Sequence, residues 1–269
     1  MARTNETAFP SAGFAKRLNS MVKVDSRRMF TSPLFYICFG IALAVPILIL
    51  VMTTMTGGAV SDPNTGMESA AFAFTNAWQI IASESGAGMA GMDMASMCNI
   101  NLTYFLTGVF LCLFVSQDFS SGYAKNLFAV RAGKGDYVAS KTLLGFLAGA
   151  LFLLAFFVGT VLGGAFAGLS FDLGAAGASG LVMCMLAKIF LMAVFVAIFL
   201  LMSVFGRQRA WLSICLSLFG GMLLFMMIPM LTPLDSGVGN VGMCLAGGAV
   251  FAAAIGAVSK LVLSKSNLA

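Results

Sequence analysis

The chain has 269 residues, of which 60% are hydrophobic and only 9% charged, with a formal net charge of +5 and no histidine. Ordinary soluble domains carry about 25% charged residues, so the composition points to an integral membrane protein of the all-α class. The missing histidine excludes Ser-His-Asp and Cys-His catalysis and every histidine-based metal site.

Residues 1–33 read as a cytoplasmic, interfacial segment. Within AGFAKRLNSMVKVDSRRMF (12–30), Phe14, Leu18, Met21, Val22 and Met29 share one helical face, and Lys16, Arg17, Lys23, Arg27 and Arg28 fill much of the rest. That pattern predicts an amphipathic helix lying on the membrane surface. The segment is not a cleavable signal, because its apolar run starts late and is too long for one. Pro33 opens the first crossing, and Pro46 inside it predicts a kink.

A helix needs roughly 20 apolar residues to cross the hydrocarbon core. Six runs approach that length: 34–55, 97–117, 142–168, 181–205, 211–231 and 241–259. With their loops they account for the whole length, which predicts a single transmembrane domain over 1–269. The external loop 56–96 holds AFAFTNAWQIIA, expected as a short helix with Phe74, Trp78 and Ile81 toward the outer leaflet. The third run carries the pairs Gly145/Gly149, Gly159/Gly163 and Gly164/Gly168. Such pairs let helix backbones approach closely, as at a dimer seam; the general tolerance of membrane helices for glycine is the alternative.

Charge sets the expected orientation. Fourteen of the fifteen Lys and Arg lie in the N-terminal segment, the 118–141 loop, the Arg207/Arg209 turn or the C-terminal tail. The opposite loops carry Asp62, Glu68, Glu84, Asp93, Asp172 and Asp235 and no base. The positive-inside rule then predicts that both termini of this multi-pass membrane protein are cytoplasmic. Tyr36, Tyr104, Tyr137 and Trp211 fall near predicted helix ends, where amphipathic rings favour the interface. The basic residues sit at membrane edges, facing anionic lipid, and nothing argues for nucleic acid.

Three further features bear on chemistry. Lys188 lies inside an apolar run, and its stem is long enough to snorkel outward; the alternative is a buried functional cation. Met89, Met92, Met94, Met97 and Cys98 give an MxxMxMxxMC spacing, and soft thioether and thiolate ligands select copper(I), so a copper-linked permease is a second reading. The chain has nineteen methionines, however, and clustering through packing accounts for the same spacing. The six cysteines read as buried free thiols, with one external bridge among Cys98, Cys184 and Cys244 as the alternative.

The polar stretch SQDFSSGYAKNLFAVRAGKGDYVASK (116–141) is far longer than a tight turn requires. Phe119, Tyr123, Leu127 and Val130 recur at helical spacing, which predicts a short amphipathic helix parallel to the membrane, broken by RAGKGD. GDYVASKT comes within one residue of a phosphate-binding loop, but Ser140 stands where the second glycine belongs and no strand precedes it. Nucleotide binding by this chain is therefore rejected.

This segment resembles the type-2 permease subunits of ATP-binding-cassette (ABC) transporters, in particular the peptide-antibiotic resistance and immunity branch. Asp118, Phe119, Gly122, Lys125, Asn126, Tyr137 and Lys141 fall in register with the family pattern. Lys134 occupies the usual arginine position, Tyr123 replaces a small hydroxyl residue, and Arg131 stands where glycine is usual.

The resemblance implies an export permease without an ATPase site of its own, moving a hydrophobic or amphipathic antimicrobial peptide or drug. It implies a second permease copy or paralogue, and a separate cytoplasmic ATPase subunit that carries ATP and magnesium. The 118–141 loop would be the coupling helix, with Tyr123, Leu127 and Phe128 as apolar contacts to the ATPase and Asp118, Lys125 and Lys134 as polar ones. A non-transporting membrane scaffold or sensor using the same loop is the reading from another class.

Overall fold

The computed structural model describes residues 13–57, 74, 76–81, 99–129, 133–206, 209–225 and 228–265. Its helices are α1 (Phe14–Thr31), α2 (Pro33–Gly57), α3 (Leu102–Ser120), α4 (Tyr123–Ala129), α5 (Lys134–Ala167), α6 (Gly177–Gly206), α7 (Ala210–Phe225), α8 (Ile228–Leu231) and α9 (Val238–Lys265), with 3-10 turns at Ala77–Ile80 and Gly174–Ala176. Among the described residues there is no strand, only one isolated bridge between Asn76 and Ser170.

Five helices are long and apolar enough to cross a membrane: Pro33–Met55, Leu102–Ser120, Lys134–Ala167, Gly177–Gly206 and Val238–Lys265. Within the predicted fifth run, 211–231, the described residues hold the 16-residue α7 and the single turn α8, and 226–227 between them lie outside the described residues. The third predicted run starts eight residues early. DYVASK forms part of the first turns of α5, which holds 34 residues and extends about 51 Å, well beyond the hydrocarbon thickness. The second run begins later than predicted, at Leu102, after a turn in which Leu102 N–H donates to the Asn99 carbonyl.

Helices α5 and α6 form the centre. α2 lies along α5, α9 along α6, and α3 is held against α5, α6 and α7. α2, α7 and α9 are apolar nearly all round, and their outward residues include Ile41, Leu48, Phe219, Met222, Leu223, Val250 and Phe251. A helix with apolar faces on every side fits lipid on one side and protein on the other.

Two of the three glycine pairs are seams inside the chain, whereas Gly168 is the left-handed cap that ends α5. A Cβ on Gly163 would stand 2.8 Å from the Ile47 Cα, and Gly159 is pressed against the Leu43 carbonyl, so α2 and α5 touch backbone to backbone. Gly145 and Gly149 admit Val196 and Met192 of α6 in the same way. The continuous helix α2 runs through Pro46, and Gly159 and Gly163 pack at that point.

Three expectations about individual side chains are corrected. Phe74, Trp78 and Ile81 are buried, not turned to lipid; Trp78 stacks on Phe157 at 5.9 Å and meets Phe171 edge-on at 5.5 Å. The capping box of Asn76 and Gln79 fixes this turn against the helical core. Tyr104 and Tyr137 are wholly buried, whereas Tyr36 and Trp211 are exposed. Both buried rings have an internal acceptor for the hydroxyl, which removes the reason to seek the interface. Helix α1 forms as predicted, but Met21, Asp25 and Met29 are its buried residues and Phe14 is exposed.

Candidate functional site

The polar centre of the fold lies at the basic end of the bundle, where α1, the end of α3 and the start of α5 meet. Positions 21, 25 and 29 recur every four residues on α1, so Asp25 shares the buried face with Met21 and Met29. Asp118 is three residues from the end of α3, and Lys141 is in the second turn of α5. Asp25, Asp118 and Lys141 are all 0% exposed.

The Lys141 ammonium stands 3.1 Å from Asp25 Oδ1 and 2.7 Å from Asp118 Oδ2. The Arg28 guanidinium closes the ring, 2.8 Å from Asp118 Oδ1 and 3.6 Å from Asp25 Oδ1. Ser140 donates to Asp25 Oδ2 at 2.9 Å, and the Tyr137 hydroxyl donates to Asp118 Oδ2 at 3.1 Å. Two carboxylates and two cations make a neutral box. Burying either charge alone would cost several kcal/mol, which the ion pairing offsets, helped by the hydrogen bonds from Ser140 and Tyr137. Burial lowers the Arg28 pKa, but the Asp118 carboxylate and its hydrogen bond outweigh burial, and the guanidinium is held above its ordinary value.

Helix α4 is attached to this box by two aromatic contacts. The Tyr123 ring lies 4.1 Å from the Arg28 Cζ, in cation–π geometry, and Phe128 meets Tyr137 edge-on at 5.5 Å. Lys141 in turn sits 4.4 Å from the Phe114 ring of α3. Gly122, with φ of +74°, makes the left-handed turn between α3 and α4, a conformation a side chain would strain. Burial raises the Tyr123 phenol above its ordinary pKa; Asp25 adds to the rise and Arg28 opposes it.

The structure divides the sequence-predicted residues into two groups. Asp118, Phe119, Tyr137 and Lys141 are buried among the chain's own helices. Lys125 and Asn126 are exposed on α4, and Gly122, Tyr123, Leu127 and Phe128 are half-buried. Lys134 donates to the Leu263 carbonyl at 2.8 Å, and so ties the start of α5 to the last turn of α9. Val130 and Arg131 lie outside the described residues, as do Met89, Met92, Met94, Met97 and Cys98. Asp25 and Arg28 are the members sequence reasoning missed. An acid at the same helical interval as Met21 and Met29 was the available signal.

A second polar node lies toward the other end. Lys188 does not snorkel. It is 1% exposed, and its ammonium donates to Asn101 Oδ1 at 3.1 Å and to Thr232 Oγ1 at 2.9 Å. The Tyr104 hydroxyl donates to the Lys188 carbonyl at 2.8 Å. Cys184 and Cys244 nearby are free and buried, as are Cys38 and Cys112, while Cys215 is free and exposed. Cys98 lies outside the described residues.

Long apolar helices around a buried polar network define a multi-pass membrane protein, which in bacteria resides in the plasma membrane. Residues 31–224 match the family described as ABC-2 family transporter protein, and the chain belongs to that family. No curated protein and no solved structure matches it. Members of the family typically work with a cytoplasmic ABC ATPase.

Proposed function

We propose that this chain is an export permease whose α4 receives the motion of a separate cytoplasmic ATPase, which alone binds ATP and magnesium. The observation that supports this reading is the connection of α4 to the buried box: Tyr123 covers Arg28, and Phe128 rests on Tyr137. A small helix with Lys125 and Asn126 exposed can dock as one rigid piece. Its displacement would be felt at once by α1, α3 and α5, because the box joins all three. Asp118, Tyr137 and Lys141 then act as positioning residues behind the docking surface, and Lys125, Asn126, Leu127 and Tyr123 form it.

In this reading α7 and α8 together make a sixth crossing. Both termini are cytoplasmic, in keeping with the basic residues at the α1 and α9 ends, and a second permease completes the pathway. The cargo is hydrophobic or amphipathic, as in the peptide-antibiotic resistance branch. ATP-driven closure would bias a bundle with two arrangements, inward- and outward-facing.

Purification in mild detergent tests the partner: an ABC ATPase should accompany the chain. With that ATPase reconstituted, Tyr123→Ala/Leu127→Ala should abolish stimulated ATP hydrolysis while membrane insertion is kept. Normal stimulation in the double variant overturns the docking role of α4.

A further inference from the structure

Among the described residues two lysines are buried, and they are held in opposite ways. Lys141 meets two carboxylates, at 3.1 Å and 2.7 Å. Lys188 meets two uncharged oxygens, Asn101 Oδ1 at 3.1 Å and Thr232 Oγ1 at 2.9 Å, and no carboxylate of the described residues stands within ion-pair distance of it. Hydrogen bonds to neutral groups recover only part of what an ion loses on leaving water; a counter-ion recovers the rest. Ionisable residues inside membrane helices are expensive, and they mark function more often than packing.

The segments that Lys188 joins close one end of the bundle. Asn101 ends the turn before α3, and in that turn the Ile100 N–H donates to the Ile80 carbonyl at 2.9 Å. The Ala77 N–H donates to the Ser170 carbonyl at 3.0 Å, so residues 77–80 bridge the turn before α3 and the segment after α5. Thr232 follows α8. Its hydroxyl proton goes to the Ile228 carbonyl at 2.8 Å, which leaves a lone pair for the ammonium. The Cys184 thiol, one turn before Lys188 on α6, donates to the Thr232 carbonyl at 3.5 Å. Ile80, Ile100 and Ile228 are 0% exposed, so apolar side chains keep water from this end.

We infer that Lys188 is a release element: its buried charge holds this closed end near balance with an open form in which the ammonium is hydrated. On opening, water replaces two neutral oxygens and restores the full hydration of the ion. At Lys141 the same movement would part an ion from two counter-ions, so the box stays shut where the Lys188 end yields. Anything that favours the open form then has only a small gap to bridge. Calling this end the external gate of a transport pathway rests on the permease reading above; the opening itself does not.

Hydrogen–deuterium exchange of the full-length chain in maltoside micelles, read by proteolytic mass spectrometry, measures the opening. The reporters are the peptides carrying the Ile100 and Thr232 amides, and the reference is the peptide carrying Tyr137–Lys141 at the box. Lys188→Met removes the charge and the donor; Lys188→Gln removes the charge and keeps a donor. Both should slow exchange at the reporters by about tenfold, which asks for only part of the cost of burying an ion. The box peptide should be unchanged.

A purely structural tie predicts the opposite sign, because Lys188→Met would leave Asn101 and Thr232 without this donor and loosen both segments. Faster or unchanged exchange at the reporters in either variant therefore overturns the inference. Slowing at the reporters and the box alike overturns it too, since the effect would not belong to this end. So does failure of Lys188→Met to fold, because the closed form should gain from that change. No ATPase takes part in these measurements, so failure of the permease reading would leave them standing.

Discussion

Replacing Lys141 by methionine removes the central cation of the buried box and keeps the side-chain length. Asp25 and Asp118 would then face each other with only Arg28 between them, at 3.6 Å and 2.8 Å from its nitrogens. Both carboxylates are 0% exposed, so water cannot replace the lost partner without opening the α1–α3–α5 junction. Removing one partner of a buried pair costs about 3–5 kcal/mol, and Lys141→Met should fall in that range. A second change, Asp25→Asn, restores a neutral cluster in which Arg28 pairs with Asp118 alone. The double variant should therefore be more stable than Lys141→Met, with a coupling energy on the order of 1–3 kcal/mol. Equilibrium unfolding in mixed micelles, followed by circular dichroism, measures all three proteins. The reasoning is refuted if Lys141→Met lies within about 1 kcal/mol of wild type, or if the two changes are additive.

A half-exposed pair gives the contrast: Arg17 is 40% exposed and bonds the buried Asp136 at 3.0 Å, so Arg17→Ala should cost about 1–3 kcal/mol, less than Lys141→Met, in the same unfolding assay. Gly163→Val sets a methyl-bearing carbon against the Ile47 backbone and should destabilise by about 1–3 kcal/mol, whereas Gly242→Ala, with open space, should be neutral or slightly stabilising. Tyr123→Phe keeps the ring over Arg28 and should preserve ATPase coupling, which Tyr123→Ala alone should weaken. The raised phenol pKa of Tyr123 has a sign that can be checked. Its contribution to stability is complete below the ordinary value of 10.0 and is lost as pH rises through the higher folded-state value. Tyr123→Phe should therefore lose less stability on that alkaline limb than the wild type.

Much of this protein follows from one-dimensional properties. Runs of apolar residues about as long as the membrane is thick become helices wherever they occur, because the backbone has no other way to satisfy itself in lipid. The surplus length and helical stripe of 116–141 likewise announced a short helix there, but Phe119 belongs to the end of α3 and the turn at Gly122 breaks the stripe before α4. Glycines spaced four apart announced close helix contact, though not with which partner.

What the chain order could not disclose is which charges meet. Asp25 and Lys141 are separated by more than a hundred positions, and each alone looks like a solvated residue at a membrane edge. Only the packing of α1 against α5 and α3 takes them out of water together, and once there neither can remain without the other. Lys188 shows the same limit in reverse. Its stem could have reached the interface, and its burial was decided by Asn101 and Thr232, brought to it from the turn before α3 and the turn after α8. Periodicity is a property of one helix; the pairing of charges, and the partners of Lys188, come only from tertiary packing.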